Sequence, residues 1–284
     1  MKGNCANEQK PKGEYNMSTF AIGHVLIKTN RLKQTASRYE ELGFTVTYRV
    51  SPEKSHNAFI YFRDGSFLEL FNPKPMNVAD KLILALLRLL RPINPAMIKR
   101  YMHYIASKEG ITDYAMDSVP VEQAEANLEG MKQAGARVGN KIKLSKKLPD
   151  GIKQTWWIAV FEDDTMPFLM SAYHPPIACL KHELAHRNGV RGIDCLVIDV
   201  PDLEAWILKY EPLGPRVNHS QQGKQCELFF EKQHKIILRK SDEYRLAEIH
   251  LLTSASLDED LAIQPHESHG ATLVLKQQPS CNFF

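Results

Sequence analysis

The pattern of apolar and polar positions repeats three times along the 284-residue chain. Each repeat predicts an apolar strand, an amphipathic helix and a Gly-x-x-Val segment that opens a second strand. Glycine after each helix is expected because it enters the left-handed conformation without a Cβ penalty. The predicted first strands are 22–28, 111–116 and 193–200, the helices are 32–42, 121–134 and 203–210, and the glycines are Gly43, Gly135 and Gly214.

Two further strands follow each Gly-x-x-Val segment, so every unit is predicted to be β-α-β-β-β. In the first unit the dipeptide Asp64-Gly65 separates two apolar runs, which predicts a two-residue hairpin loop. A fourth unit, reduced to strands, is predicted near 248–252 and 269–276, where His250 would match His24 or be an ordinary surface or core histidine. The predicted strand pairs are 57–63 with 66–71, 155–161 with 167–172, and 226–230 with 236–239.

These elements predict an α+β fold of tandem βαβββ units that form half-barrel clefts, with a helical insertion. The insertion, residues 76–106, contains two amphipathic segments and is a candidate lid, oligomer contact or packed flank. The predicted domains are a disordered leader (1–18), a half-barrel of two units that includes the insertion (19–175), a linker (176–189), and a third unit with a degenerate fourth (190–284).

The chain resembles the vicinal oxygen chelate superfamily, and more narrowly its glyoxalase-like branch. The residues that carry this resemblance are Gly23-His24-Val25, Ser55-His56-Asn57, Phe67-Leu68-Glu69-Leu70, Pro167-Phe168-Leu169, His174-Pro175 and His186-x-Asn188-Gly189. The resemblance covers roughly residues 19–240. It implies a cleft for a small-molecule ligand, with a first-strand His and a fourth-strand Glu of each half holding a divalent metal.

His24 and Glu69 are the candidate metal ligands, and Glu69 is the candidate catalytic base. A carboxylate flanked by apolar residues needs a cation, a metal or hydrogen-bond donors. Imidazole nitrogen with carboxylate oxygen suits Zn, Mn, Fe or Ni. The partner unit offers only Asp113 and a position near Ser171, so a site of two or three ligands and no metal site both stay open.

Three residues are candidate substrate-binding groups. His56 and Asn57 open a strand beside the expected cleft, where they would recognise a ligand or only cap the strand. Trp156 and Trp157 lie on opposite faces of one strand, and Trp156 is assigned to the cleft. Such aromatic residues more often belong to the core.

The resemblance implies a protein that binds or converts a small oxygen-rich or electrophilic molecule, as a metal-dependent lyase, isomerase or dioxygenase if His24 and Glu69 hold a metal. Two alternative functions remain. A metal-free protein that sequesters a small molecule would use the same cleft without His24 and Glu69 binding a metal. A zinc metalloprotease would use His182-Glu183-Leu184-Ala185-His186, which matches H-E-x-x-H and requires both histidines on one helix.

Composition and charge exclude several classes of protein. The 36 Lys and Arg nearly balance 33 Asp and Glu, which excludes a nucleic-acid footprint. Residues 82–90 are too few to cross a bilayer and contain Arg88. Five scattered cysteines without a CxxC pair indicate reduced thiols, so we expect a cytoplasmic protein. A homodimer through the insertion stays open.

Overall fold

The computed structural model describes residues 19–74, 78–148, 151–220 and 223–278. In this part of the chain the structure has two seven-stranded sheets and five α-helices. The predicted leader, 1–18, lies outside the described residues.

The first sheet contains β1 (Phe20–Lys28), β2 (Asn57–Tyr61), β3 (Phe67–Phe71), β4 (Gly110–Ser118), β5 (Ile142–Lys147), β6 (Lys153–Val160) and β7 (Phe168–Met170). The second sheet contains β8 (Val190–Val200), β9 (Arg216–His219), β10 (Gln225–Phe229), β11 (Lys235–Lys240), β12 (Arg245–Thr253), β13 (Leu261–Ile263) and β14 (Leu273–Gln277). The helices are α1 (Leu32–Glu41), α2 (Asp80–Leu90), α3 (Pro95–Ala106), α4 (Ala124–Gln133) and α5 (Leu203–Tyr210).

Both sheets have the same internal pairing. The strand order is β2-β3-β1-β4-β7-β6-β5 in the first sheet and β13-β14-β12-β8-β11-β10-β9 in the second. In the first sheet the two central strands, β1 and β4, are antiparallel, and each has a parallel neighbour, β3 and β7. The predicted α+β fold of tandem units forming a curled half-barrel is therefore confirmed.

Three local predictions differ from the structure. Gly43-x-x-Val46 and Gly135-x-x-Val138 open no regular strand, because only Thr47 bridges to Phe59 in the first unit and only Val138 bridges to Phe161 in the second. Strand β5 was not predicted, since its apolar residues alternate with lysines and serine. The Asp64-Gly65 turn has three loop residues rather than two, because Phe62 N donates to Ser66 O.

The hydrophobic core lies between the two sheets and contains residues from both of them. The three repeat helices contribute Tyr39, Leu128 and Trp206 to it. Gly43 and Gly135 follow α1 and α4 with φ of +90° each, which confirms these two predicted terminators. Gly214, with φ of +64°, ends the short 3₁₀ turn Glu211–Leu213 that follows α5. Burial of one face of the first sheet in this core leaves its other face available for a site.

The helical insertion covers part of that other face. Helix α3 begins at Asn94, whose side chain accepts a hydrogen bond from Met97 N at 3.1 Å. It is held to β4 by Arg100, whose guanidinium contacts the Asp113 carboxylate at 2.7 Å. Helix α2 instead exposes Leu82, Leu86 and Leu89, and a homodimer through it stays a prediction.

Within the described ranges, no helix is long and apolar enough to span a membrane.

Candidate functional site

A cleft of about 210 Å³ lies on the face of the first sheet that is turned away from the core. Its walls come from the sheet and from α3, which closes one side. They are mainly aromatic and aliphatic and include Phe59, Met97, Tyr104, Trp156, Phe168 and Tyr173. His24, Asn57 and Glu69 provide polar atoms among these apolar walls, an arrangement typical of small-molecule sites.

A β-bulge in β1 turns His24 into the cleft. The register between β1 and β4 shifts between Ile22 and His24, so Ile22 and Val25 both face the core although they are three residues apart. Ile22 therefore does not share a face with His24, although the two residues are two apart in the strand. Gly23 is required at the bulge, because a Cβ there would lie 2.3 Å from Cγ of Asp117.

The alternation along β3 places Glu69 in the cleft. Leu68 and Leu70 lie in the core, whereas Phe67 and Phe71 flank Glu69 on the opposite face. The side chain is 18% exposed, which leaves the carboxylate accessible from the cleft. Asn57 Nδ2 donates a hydrogen bond to Glu69 Oε1 at 2.9 Å, so Asn57 orients the carboxylate and leaves Oε2 for a ligand.

His24 is buried beside this carboxylate in its neutral form. Its ring stacks on Phe67 with 4.3 Å between the ring centroids, and burial lowers its pKa to about 3. His24 Nε2 lies 3.7 Å from Glu69 Oε2, and Nδ1 is buried with no hydrogen-bond partner among the described residues. At neutral pH the contact is therefore not an ion pair.

The Glu69 carboxylate has a raised pKa. Burial is the largest cause, and it is opposed by the hydrogen bond from Asn57 and by the positive charge of Lys146. Lys146 lies on β5, the strand that was not predicted. A carboxylate held this way accepts a proton more readily than one in water.

The register of the sheet identifies the equivalents of His24 and Glu69 in the second unit. His24 on β1 pairs with Phe67 on the parallel strand β3, and Ala115 on β4 pairs with Phe168 on the parallel strand β7. Ala115 therefore occupies, in the second unit, the position that His24 has in the first. Met170 then replaces Glu69, since it follows Phe168 by two residues. Neither replacement can bind a metal through nitrogen or a carboxylate oxygen.

The two residues that the sequence offered from the second unit have structural roles instead. Asp113 accepts hydrogen bonds from Arg100 at 2.7 and 2.8 Å. Ser171 Oγ accepts a hydrogen bond from Trp157 N at 2.9 Å. The predictions that Asp113 and Ser171 occupy the ligand positions are wrong by register, since those positions are Ala115 and Met170.

His24 and Glu69 fit a metal site of two protein ligands and not a site of four. Their 3.7 Å separation is too long for a hydrogen bond. It is close to the spacing of two ligands that each lie about 2.1 Å from one ion. Among the described residues, neither Nε2 nor Nδ1 of His24 has a hydrogen-bond partner, so Nε2, the nitrogen next to Glu69, is available to a metal.

The other predicted substrate-binding residues are separated by the structure. Asn57 and Trp156 line the cleft, and Trp156 lies 5.0 Å from Tyr173 between ring centroids. Trp157 is buried in the core. His56 is exposed at the end of the strand, where its carbonyl accepts a hydrogen bond from Asn72 N, so it does not line the cleft.

The protease interpretation is wrong. Residues 182–186 form turns rather than a helix, so the histidines are not one helical turn apart. Both ring nitrogens of His186 contact backbone groups, Thr45 N at 3.0 Å and Tyr61 O at 2.9 Å. Glu183 is buried and pairs with Arg49 at 3.4 Å. The segment anchors the loop after α1 and provides no zinc site.

Replacing Asp117 with asparagine is expected to stabilise the protein above neutral pH. Burial against Gly23 raises the pKa of Asp117 from 3.8 to about 7, and Oδ1 has no hydrogen-bond partner among the described residues. The folded protein therefore retains a proton that the unfolded chain releases, and the free energy of unfolding falls as pH rises between these values. Denaturant unfolding at pH 8 is expected to show a gain on the order of 3 kcal/mol for Asp117→Asn.

The same variant is expected to show little gain at pH 3.5, where the carboxyl group is protonated in the folded protein and mostly protonated in the unfolded chain. Glu122→Gln, at an exposed position, is the control and should leave stability unchanged at both pH values. An equal gain of Asp117→Asn at both pH values would show that the effect is not ionisation.

Comparison with known proteins identifies the family. No curated protein sequence matches the chain. A solved hypothetical protein from Staphylococcus aureus has a TM-score of 0.69 at 9% identity, with 91% of this chain and 100% of that one covered. The Mn(II)-bound glyoxalase from Novosphingobium aromaticivorans has a TM-score of 0.53 at 10% identity, with coverage of 92% and 82%. Homoprotocatechuate 2,3-dioxygenase from Arthrobacter globiformis has a TM-score of 0.53 at 11% identity, with coverage of 94% and 82%.

These structures share the fold with this chain, and the sequence itself assigns the family. The model of the glyoxalase-like domain matches residues 22–214, which is more than half of the chain. That range contains both units of the first sheet and every residue of the cleft described above. The chain therefore belongs to the glyoxalase-like domain family.

Proposed function

We propose that the cleft binds a small aromatic molecule that has oxygen atoms on two adjacent carbon atoms, and that Glu69 removes a proton from this molecule. The observation that carries this proposal is the Glu69 carboxylate, buried among aromatic side chains with one hydrogen bond from Asn57 and a neutral His24 beside it. An apolar cavity of about 150 Å³ can hold benzene. A cleft of about 210 Å³ therefore has room for one substituted ring.

The side chains divide the work between binding and proton transfer. The ring would lie between Trp156 and Phe168, and its oxygen atoms would point to His24 and Asn57. Asn57 fixes Oε1 of Glu69, so Oε2 is the atom that accepts the proton. The raised pKa of Glu69 makes it a stronger base than an exposed carboxylate.

Binding of 2-hydroxyacetophenone is expected to quench the fluorescence of Trp156. This probe has one aromatic ring and two adjacent oxygens. Titration of the full chain should give saturable quenching that is retained in Trp157→Phe, because Trp157 is in the core, and lost in Trp156→Phe. If no saturable quenching occurs, or if it persists in Trp156→Phe, the ligand does not bind in this cleft.

A divalent metal at His24 and Glu69 is a second candidate, favoured by their 3.7 Å separation. Bound there, the ion would polarise a substrate oxygen as a Lewis acid. The proton would still be accepted by a protein group, and the remaining positions of the ion would be left to substrate and water. Ala115 and Met170 add no ligand, so the affinity is expected to be low.

Purified protein titrated with Mn²⁺ is expected to bind the ion at less than full occupancy. Loss of the electron paramagnetic resonance signal of the free ion measures this binding directly. His24→Ala should abolish it, whereas His182→Ala, at an exposed position in the former protease motif, should not change it. Binding that survives His24→Ala would place the ion elsewhere and leave the cleft as a metal-free site.

A further inference from the structure

A second group of metal-binding side chains lies on the second sheet, outside the cleft. Ligand atoms of Asp194, Cys195 and His250 all lie within 4.8 Å of one another. Cys195 and His250 are direct neighbours on the two central strands, β8 and β12. Their side chains are on the face of the second sheet that is turned away from the shared core, where Cys195 packs with Val197 and Ala247.

A β-bulge brings Asp194 to the same side as Cys195. Adjacent residues of a regular strand point to opposite faces. Here Cys195 is opposite His250 and Ile193 is opposite Leu251, so Asp194 is the extra residue in the register. Ile193 and Leu196 both face the core, which leaves Asp194 and Cys195 together on the other face.

His250 has one ring nitrogen committed and one unused. Nε2 lies 2.8 Å from Oε2 of Glu248, and Nδ1 is buried without a hydrogen-bond partner among the described residues. The residue is 8% exposed. Glu248 is itself held by Arg239 at 2.7 Å. A carboxylate that accepts a hydrogen bond from one imidazole nitrogen and directs the other toward a metal is the usual arrangement around histidine ligands.

We propose that Asp194, Cys195 and His250 form a binding site for a thiophilic divalent cation of the zinc class. Sulfur, imidazole nitrogen and carboxylate oxygen are together the ligands of zinc, whereas Mg²⁺ and Ca²⁺ prefer oxygen alone. On binding, the Cys195 thiol releases its proton to solvent and its sulfur joins the metal. Lys235 Nζ lies 3.2 Å from Oδ1 of Asp194, and in this proposal Oδ2 is the oxygen that binds the ion.

This ligand set differs from the pair in the cleft. In the second sheet, strand pairing places Ile237 of β11 and Lys276 of β14 at the positions that correspond to Glu69. Neither of these two strands therefore contributes a carboxylate at that position. Asp194 provides the oxygen instead, and Cys195 provides a thiolate that the cleft lacks. The two sites can therefore be distinguished by spectroscopy, because only the second site contains a cysteine thiolate, whereas the sulfur atoms in the cleft are the thioethers of Met97 and Met170.

Titration of the full chain with Co²⁺, a coloured substitute for zinc, tests the proposal. Wild-type protein is expected to develop a sulfur-to-cobalt charge-transfer band in the near ultraviolet, and Zn²⁺ should displace it. Cys195→Ser should abolish the band, and Glu248→Gln should weaken cobalt binding by roughly 10–100-fold. Cys226→Ser, at a cysteine buried in the shared core, and Glu69→Gln should both retain it.

Absence of the band in wild-type protein, or its survival in Cys195→Ser, would overturn the proposal. Circular dichroism establishes whether Cys195→Ser folds. If that variant does not fold, His250→Gln decides, since it leaves the thiol in place and should reduce both the band and the affinity; an unchanged titration there also overturns the site. Failure of the ligand test in the cleft would not affect these results, because the Glu69→Gln control separates the two sites.

Discussion

Replacing Arg100 with methionine is expected to lower the free energy of unfolding by about 3–5 kcal/mol. Arg100 is 1% exposed, and its guanidinium contacts both oxygens of Asp113. It also donates to the Met166 carbonyl, and Tyr104 Oη donates to the same Asp113 carboxylate. Removal of the guanidinium leaves a buried carboxylate without its charged partner, and this uncompensated charge is the main cost. Chemical denaturation measures the loss.

Lys99→Met on the same helix is the matched control. Lys99 pairs with Asp164 at 2.8 Å, but its side chain is half exposed, so the expected loss is below about 1 kcal/mol. A double variant, Arg100→Met with Asp113→Leu, should recover most of the stability because no unpaired charge remains. A similar small loss for Arg100→Met and Lys99→Met would contradict the assignment of Arg100 as the anchor of α3. Since Arg100 and Tyr104 also wall the cleft, Arg100→Met should weaken binding of 2-hydroxyacetophenone as well.

The fold was predictable because each repeat can be recognised from local sequence features, namely residue spacing and glycine positions. The buried faces of α1 and β3 follow from residue spacing, and the glycines after the repeat helices mark where each helix ends. Strand β5 was not predictable from apolar content, since lysines and serine fill its exposed face. Its position depends on pairing with β6, which is a tertiary interaction.

The candidate site was predictable only in its first unit. The prediction that Glu69 faces the cleft is confirmed, because side chains along a strand alternate between its two faces and this places Glu69 on the same face as Phe67 and Phe71. The equivalents in the second unit were missed because Ala115 and Met170 carry no polar signal and their register depends on which strands pair. Lys146 was missed for the same reason, since its approach to the cleft is set by packing between distant elements. Packing also decides that α3 walls the cleft, which the sequence left open between a lid, an oligomer contact and a packed flank. The bulge at Gly23 likewise cannot be predicted from the alternation of residues along a strand, because the extra residue interrupts that alternation.

Glu69→Gln is expected to reduce proton removal in the cleft by about 10²–10⁴-fold. In D₂O, wild-type protein should exchange the methylene protons of 2-hydroxyacetophenone, which lie between its carbonyl and hydroxyl groups, for deuterium. Proton nuclear magnetic resonance follows the loss of the methylene signal. Glutamine keeps the shape of glutamate and can still contact Asn57, but it cannot accept the proton. The wild-type rate should rise with pH through the Glu69 pKa, which burial places above the ordinary value of 4.5, and the variant should lack this rise.

The Glu69→Gln experiment distinguishes three cases: Glu69 is a catalytic base, Glu69 has only a structural role, or the cleft binds its ligand without removing a proton. Because burial raises the pKa of Glu69, the ionised form destabilises the fold, so stability falls as pH rises through that pKa. Glu69→Gln should therefore be at least as stable as wild type at pH 8 and still show Trp156 quenching by the probe. A markedly destabilised variant would instead make Glu69 a structural hydrogen-bond acceptor for Asn57. Quenching by the probe without any exchange in wild-type protein would show that the cleft binds its ligand without removing a proton, which is the behaviour of a sequestering protein.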